Sequence, residues 1–325
     1  MTLFLQEVAL MNKEIFIRRL RDALSPLSDE EIENAVQYYE EYFADAGEEN
    51  QADVIEALGS PEALAENIIR EAGQPVPAGS PSSAGFNAVK IETIAAAIEL
   101  IPSDHFSYEV MESSNCYMEH SIKNGVLTIK ERRTKNIFSI FAGAVSGFVK
   151  VYFDPAVIFD FINLSAVSGG VEINKVRSLT SDIATTSGKI VIGNCELGMC
   201  TLTKVSGRLD CNGSRFAKIN IHSVSGSTHL DNMECGSIII KNTSGSINIS
   251  GRIDGDVEIH SVSGSVSLSL IGNIDDYRKS LSMVSGTARI GDVRLKKGYT
   301  ELSNKAFVHL MKVTTVSGSI NIDFR

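Results

Sequence analysis

Over residues 12–73 the apolar positions recur with the period of an α-helix. Phe16, Leu20, Ala23 and Leu24 keep i, i+4, i+7 spacing behind Asn12, a candidate N-cap, and Pro26 ends the segment. Ser28 and Glu31 form a capping box for a second helix, with Ile32, Ala35, Val36, Tyr39 and Phe43 on one face and Gly47 as its stop. A third helix is expected over 52–58, closed by Gly59. A fourth is capped by Ser60, carries Pro61 in its first turn, buries Leu64, Ile68 and Ile69, and ends near Gly73. Tyr38, Tyr39 and Tyr42 lie at helical spacing, which reads as core and its rim ahead of a ligand face.

From about residue 140 the period drops to two and the chain repeats itself. Ser168-Gly169, Ser187-Gly188, Ser206-Gly207, Ser225-Gly226, Ser244-Gly245 and Ser263-Gly264 follow one another at intervals of 19 residues. Ser285-Gly286 and Ser317-Gly318 come after intervals of 22 and 32, and a further copy stands at 146–147. The preceding residue is Val or Thr, as in Val205 and Thr186. Three residues after the Ser lie Val171, Ile190, Leu209, Thr228, Ile247 and Val266, and two further on lie Ile173, Ile192, Cys211, Leu230, Ile249 and Leu268, with mostly polar residues between. Four before the Ser lie Ile183, Leu202, Ile221, Ile240 and Ile259. Alternation of this kind makes strands with one inward face, at least two per unit. A fixed period near 20 marks stacked supersecondary units.

The predicted fold is therefore mainly β: a single-chain β-solenoid, parallel β-helix-like, with ~19-residue coils and a right-handed course, preceded by a small all-α domain. The Ser-Gly steps are its expected structural corners. There the strand turns, glycine reaches backbone angles closed to other residues, and the stacked hydroxyls bond to neighbouring coils or to the local backbone. Roughly nine coils at about 4.8 Å would extend for about 45 Å. Two insertions, IGNIDDYRKSLSM at 271–283 and the stretch 293–315, are expected to bulge from one side. The last coil, 315–325, is expected to leave an open strand edge, and a homodimer through this C-terminal coil follows as an expectation.

Between the two patterns lies QPVPAGSPSSAG. Three prolines, two glycines and three serines in twelve residues hold neither a helix nor a central strand, so the expected division is a helical domain at 1–73, a linker at 74–85 and a solenoid at 86–325 with regular coils over about 140–325.

Charge separates the same parts. Residues 1–85 carry 17 acidic and 5 basic side chains, and the remaining 240 carry 23 and 25. The acidic helical part does not suit nucleic acid, whose phosphates call for Lys and Arg, so direct nucleic-acid binding is not expected. It suits a basic protein partner, or is simply a solvated surface.

With 43% hydrophobic and 22% charged residues the chain is ordinary for a soluble globular protein, and no apolar run is long enough to span a membrane. The first ten residues lack a basic region and make a poor secretory signal, and either Met1 or Met11 can serve as the start. Cys116, Cys195, Cys200, Cys211 and Cys235 form no CxxC pair. They read as reduced, buried thiols in a cytoplasmic protein, without a disulfide framework or zinc site.

No P-loop, GxSxG elbow or HExxH is present, so no enzyme activity, no catalytic, cofactor or metal residues and no cofactor are expected. His222 and His260 share a column two coils apart, about 9.6 Å, too far to share one metal. Asp254, Asp256, Asp275 and Asp276 could attract a cation but read as solvated turn acids.

FNAVKIETIAAAIELIPSD (86–104), NGVLTIK (124–130) and the VSGS(I/V)xI copies ending in VSGSINIDF resemble the bacterial "putative adhesin" β-solenoid family, over about three quarters of the chain. NKEIFIRRLRDALSPLSDEEIENAVQYYEEYFADA and EALGSPEALAENI, within residues 12–73, resemble the HAAS helical signalling domain. That resemblance implies an intracellular module accompanying PadR-like helix-turn-helix regulators, frequently joined to membrane segments, which are not seen in this sequence. The expected function is a non-catalytic signalling and interaction protein, its helical domain docking a protein partner, such as a basic PadR-like regulator, and its solenoid a binding or assembly scaffold. The alternative is an adhesin-like structural scaffold, at the cell surface by a route without a signal peptide.

Overall fold

The computed structural model describes residues 12–47, 50–71, 85–113, 116–133, 146–296, 298–300 and 307–325. The expected linker lies outside them apart from Gly85, as does Gly73.

The N-terminal unit holds four helices: α1 (Lys13–Ala23), α2 (Asp29–Ala46), α3 (Gln51–Leu58) and α4 (Pro61–Glu71). Three of the four starts carry a side-chain cap. The Asn12 side chain accepts from Ile15 N at 2.9 Å, and Ser60 Oγ accepts from Ala63 N at 3.1 Å. At α2 the box is reciprocal: Glu31 N donates to Ser28 Oγ, and Ser28 N donates to Glu31 Oε2. The Ser28 hydroxyl, which also donates to Glu31 Oε2, and the Ser28 N–H hold the Glu31 carboxyl below its usual range. Gly59 closes α3 with φ +76°. Phe16, Leu20 and Leu24 meet Val36, Tyr39 and Phe43 in the core, with Val54, Ile55 and Ala65. Leu64, Ile68 and Ile69 are only half-buried at its rim.

The second unit is a stack of parallel ladders, so the fold is mainly β and solenoid-like. In its middle each residue pairs with the one 19 further on: Ile183 with Leu202, Leu202 with Ile221, Ile221 with Ile240, Ile240 with Ile259. The short strands Val171–Asn174, Ile190–Gly193 and Leu209–Asn212 form a second ladder in the same register. The inward columns named above are almost entirely excluded from water and form one continuous apolar core.

Both ends depart from the sequence order. Regular stacking does not wait for residue 140. Ala88–Thr93 lies between Val126–Arg133 and Phe159–Ala166, and Ala97–Pro102 lies between Phe148–Phe153 and Val171–Asn174. At the other end His309–Phe324 lies between residues 257–270 and Tyr277–Ile290: Ile320 pairs with Val266 on one side and with Ala288 on the other. The 315–325 coil is therefore no open edge. Both its sides are already hydrogen-bonded, so the expected homodimer through the C-terminal coil has no edge to use.

The expected insertions change accordingly. Of the first, 271–276 leaves the sheet, through the short turn Ile274–Asp276, and Tyr277 opens the outermost strand. Val293–Leu295 folds back antiparallel on residues 288–290, and Tyr299 and Thr300 pair with Leu281 and Ser280. The returning segment thus covers part of that outermost edge, which protects it from pairing with another chain.

Candidate interaction surfaces

The Ser-Gly steps form one column along the stack. Ser168, Ser187, Ser206 and Ser225 each give both backbone N–H and hydroxyl to a single carbonyl of the preceding coil, those of Ile94, Val167, Thr186 and Val205. Ser244 N reaches Val224 O, while Ser263 and Ser285 each pair with Ser317. The glycines allow this approach. A Cβ on Gly207 would lie 2.5 Å from Gly188 O, and one on Gly226, where φ is +85°, would overlap Gly207 O outright. The same overlap links Gly169 to Ala96, Gly188 to Gly169, Gly245 to Gly226, Gly264 to Gly245, Gly318 to Gly264 and Gly286 to Gly318. The hydroxyls of Ser168, Ser187, Ser206 and Ser225 therefore brace corners.

Two residues before each Ser is a column that points inward and is polar in six coils, at Thr185, Lys204, Ser223, Asn242, Ser261 and Thr315, all buried, with Ala166 and Met283 as its apolar members. Each polar member satisfies a corner carbonyl. Thr185 Oγ1 donates to Gly188 O at 3.2 Å, Asn242 Nδ2 to Gly245 O at 3.3 Å and Thr315 Oγ1 to Ser317 O at 3.3 Å. Lys204, only 2% exposed, donates from Nζ to Gly207 O at 3.1 Å and Ser225 O at 2.8 Å. Burial pushes its pKa down to about 8. The first coil uses another device. Ile94, Ala95 and Ala96 replace Ser-Gly, and their three N–H groups converge on Oε2 of buried Glu131 at 2.5, 2.9 and 3.1 Å.

The hydrophobic columns do not announce these groups. One signal was present: the inward position four before each Ser puts the position two before it inward as well. Two further corners also recur every 19 residues without Ser-Gly. One holds Lys175, Asn194, Gly213 and Asn232 in left-handed backbone. At the other, Gly198, Gly236 and Gly255 have no room for a Cβ against Leu179, Ala217 and Gly236.

A polar cleft of about 140 Å³ opens beside the first of these corners, lined by Asn194, Cys195, Glu196, Gly213, Ser214, Arg215, Asn232 and Glu234. Its charges are matched: Arg215 meets Glu234 at 2.7 Å, and Glu196 meets Arg177 at 3.0 Å. Burial pushes the Cys195 thiol up to about 11, and Cys211 and Cys235 to about 12, which leaves no thiolate near neutral pH. All five cysteines are buried and none is in a disulfide.

His222 and His260 flank Lys241 in one column. His260 Nε2 contacts Glu258 at 2.8 Å, a contact that, with Lys312 nearby, holds the Glu258 carboxyl below its usual range. Asp256 accepts from Leu310 N, and Asp254 faces Arg252 at 3.8 Å. Asp275 and Asp276 sit on the Ile274–Asp276 turn. Among the described residues no group of three His, Cys, Asp or Glu is placed to hold a metal ion.

Two surfaces remain outward. On α2, Tyr39 enters the core, Tyr42 is exposed, and half-buried Tyr38 stacks on Tyr42 at 6.3 Å beside exposed Glu41 and Asp45. Along the stack the residues before each Ser form an apolar column, with Val167, Val205, Val224 and Val262 about half exposed.

The HAAS family matches residues 16–67 and the Toastrack DUF4097 family matches residues 86–323. No curated protein matches the chain. Among solved structures, a "putative adhesin" from Parabacteroides merdae shares 14% identity over 74% of this chain and 92% of its own, with TM-score 0.41. A "putative adhesin" from Bacteroides fragilis shares 11% over 73% and 92%, TM-score 0.39. A "putative lipid binding protein" from Parabacteroides distasonis shares 14% over 73% and 92%, TM-score 0.38. Among the described residues no helix is long and apolar enough to cross a membrane. With stacked ladders running from residue 88 to residue 324 and a family match over most of that span, the chain belongs to the Toastrack DUF4097 family and carries a HAAS-like helical unit at its N-terminal side.

Proposed function

We propose that this chain is a non-catalytic interaction protein in the cytoplasm. Its helical unit docks a basic protein partner of the PadR-like helix-turn-helix kind, and its stacked coils serve as the scaffold. The observation that carries the reading is the outward face of α2, where the Tyr38–Tyr42 stack lies beside Glu41 and Asp45 in a segment with 17 acidic and 5 basic residues. Aromatic rings anchor an interface, and a surrounding field of one sign steers a partner of the other. Buried thiols of raised pKa and corner hydroxyls spent on carbonyls support the non-catalytic part.

The test is titration of the full chain with a purified PadR-like regulator from the same organism. Micromolar binding that weakens with salt is expected, together with its loss in a Glu41→Lys/Asp45→Lys/Tyr42→Ala variant of unchanged helicity. Binding that ignores these changes removes the α2 reading. Recovery of the native protein from the cell surface on fractionation favours the adhesin-like scaffold instead.

A further inference from the structure

The exposed column before the Ser-Gly corners reads, along six consecutive coils, Val167, Thr186, Val205, Val224, Thr243, Val262. Both threonines are exposed, and the four valines are 45–51% exposed. Adjacent members lie about 4.8 Å apart, so the column makes an apolar strip of a few hundred Å², the size of patch that marks interaction sites on monomers. Within these six coils the order is a palindrome, and beyond Val262 the column runs on through Val316 and Val284. Reversed against itself, Val205 faces Val224, Thr186 faces Thr243 and Val167 faces Val262, so each hydroxyl meets a hydroxyl and each isopropyl group an isopropyl group.

The neighbouring outward column agrees with this reversal. Two residues earlier in each coil stand Ser165, Ala184, Thr203, His222, Lys241 and His260: three small uncharged side chains, then three large basic or titratable ones. Under the same reversal Lys241 falls on Ala184, His222 on Thr203 and His260 on Ser165. The next column outward puts Asp182 on Ile239 and Glu258 on Asn163, so no like charges meet. Six coils by these three outward columns span about 29 by 20 Å, roughly three quarters of the 800 Å² per partner that a specific interface buries.

We infer that a second copy of this chain packs antiparallel on this face, about a two-fold axis between Val205 and Val224. Self-complementarity under reversal is what an isologous interface requires, and only another stack carries side chains on the same 4.8 Å repeat. This dimer is independent of the α2 reading, whose partner binds elsewhere.

Light scattering on the full chain at 50 micromolar, with three variants, tests it. The wild type is expected as a dimer. Val205→Lys and Val224→Glu alone are each expected to weaken it at least tenfold while melting within a few degrees of wild type, since both sites are exposed. The double variant is expected to restore the dimer, because the introduced ammonium of one copy then meets the introduced carboxylate of the other. A monomeric wild type overturns the inference, and so does a dimer that survives both single changes. Failure of the double variant to restore association overturns the antiparallel pairing, since a parallel one sets each residue against its own copy.

Discussion

Lys204 donates its ammonium to the carbonyl oxygen of Ser225, the corner serine of the next coil, at 2.8 Å. Its neighbours in the column reach the same class of carbonyl with neutral hydroxyl or amide groups, so a charge is held where none is needed for the corner. Two carbonyls orient it, but burial outweighs them and pulls the pKa from 10.5 to about 8.

That difference makes stability depend on pH. Between about pH 8 and 10.5 the unfolded chain holds a proton on Lys204 that the folded chain has released, so stability rises with pH across that window. Below pH 8 the desolvation penalty is present in full. Thermal melts of wild type and Lys204→Met from pH 7 to 10.5 should show wild type gaining up to about 3 kcal/mol on the variant. A difference that stays flat with pH rejects the buried-ammonium account.

Corner glycines should differ sharply from surface glycines of similar backbone. Gly226 and Gly291 both have positive φ, but a Cβ at Gly291 meets nothing within 4 Å while one at Gly226 overlaps Gly207 O. Gly291→Ala should cost about 1 kcal/mol through backbone strain alone. Gly226→Val should cost about 3 kcal/mol or more, because the stack must separate locally. Similar losses on urea titration would place the corner's requirement in φ alone.

Glu131 holds three N–H groups of the first coil with one carboxylate oxygen. Glu131→Gln keeps the shape and removes the charge, and should cost about 2 kcal/mol. The loss should appear locally, as faster hydrogen exchange at Ile94, Ala95 and Ala96 with the central coils unchanged. Unaltered exchange at those amides would show that the carboxylate is dispensable there.

Thiol chemistry gives a direct check of the core. Cys195, Cys211 and Cys235, raised to about 11 and about 12, should resist a disulfide reagent at pH 8 for hours in the folded protein and react within minutes once denatured. Rapid labelling of any of them in the folded state would mean that the coils open on that timescale.

The 19-residue period, the Ser-Gly corners and the inward columns through Leu202 and Leu209 were legible because side-chain alternation and glycine geometry are local. The helix caps at Asn12, Ser28 and Ser60 were legible for the same reason. For Lys204 the alternation gave its inward side but not what holds it there, since its carbonyl partners at Gly207 and Ser225 belong to the folded corner. The placing of 88–102 and 309–324 was also hidden. Ile320 carries the same pattern whether its strand is last in the stack or last but one. Only the long-range choice of partner, Val266 on one side and Ala288 on the other, decides it.

The interleaving of His309–Phe324 between residues 257–270 and Tyr277–Ile290 bears on how the protein is made. The middle coils can add in order as the nascent chain leaves the ribosome, each finding the coil before it already in place. Tyr277–Ile290 cannot, because its seat on the stack is the far side of a segment not yet synthesised. It must stay undocked until residues 309–324 emerge, and the final two layers then close together as one non-local step, slower than the coil-by-coil growth before it.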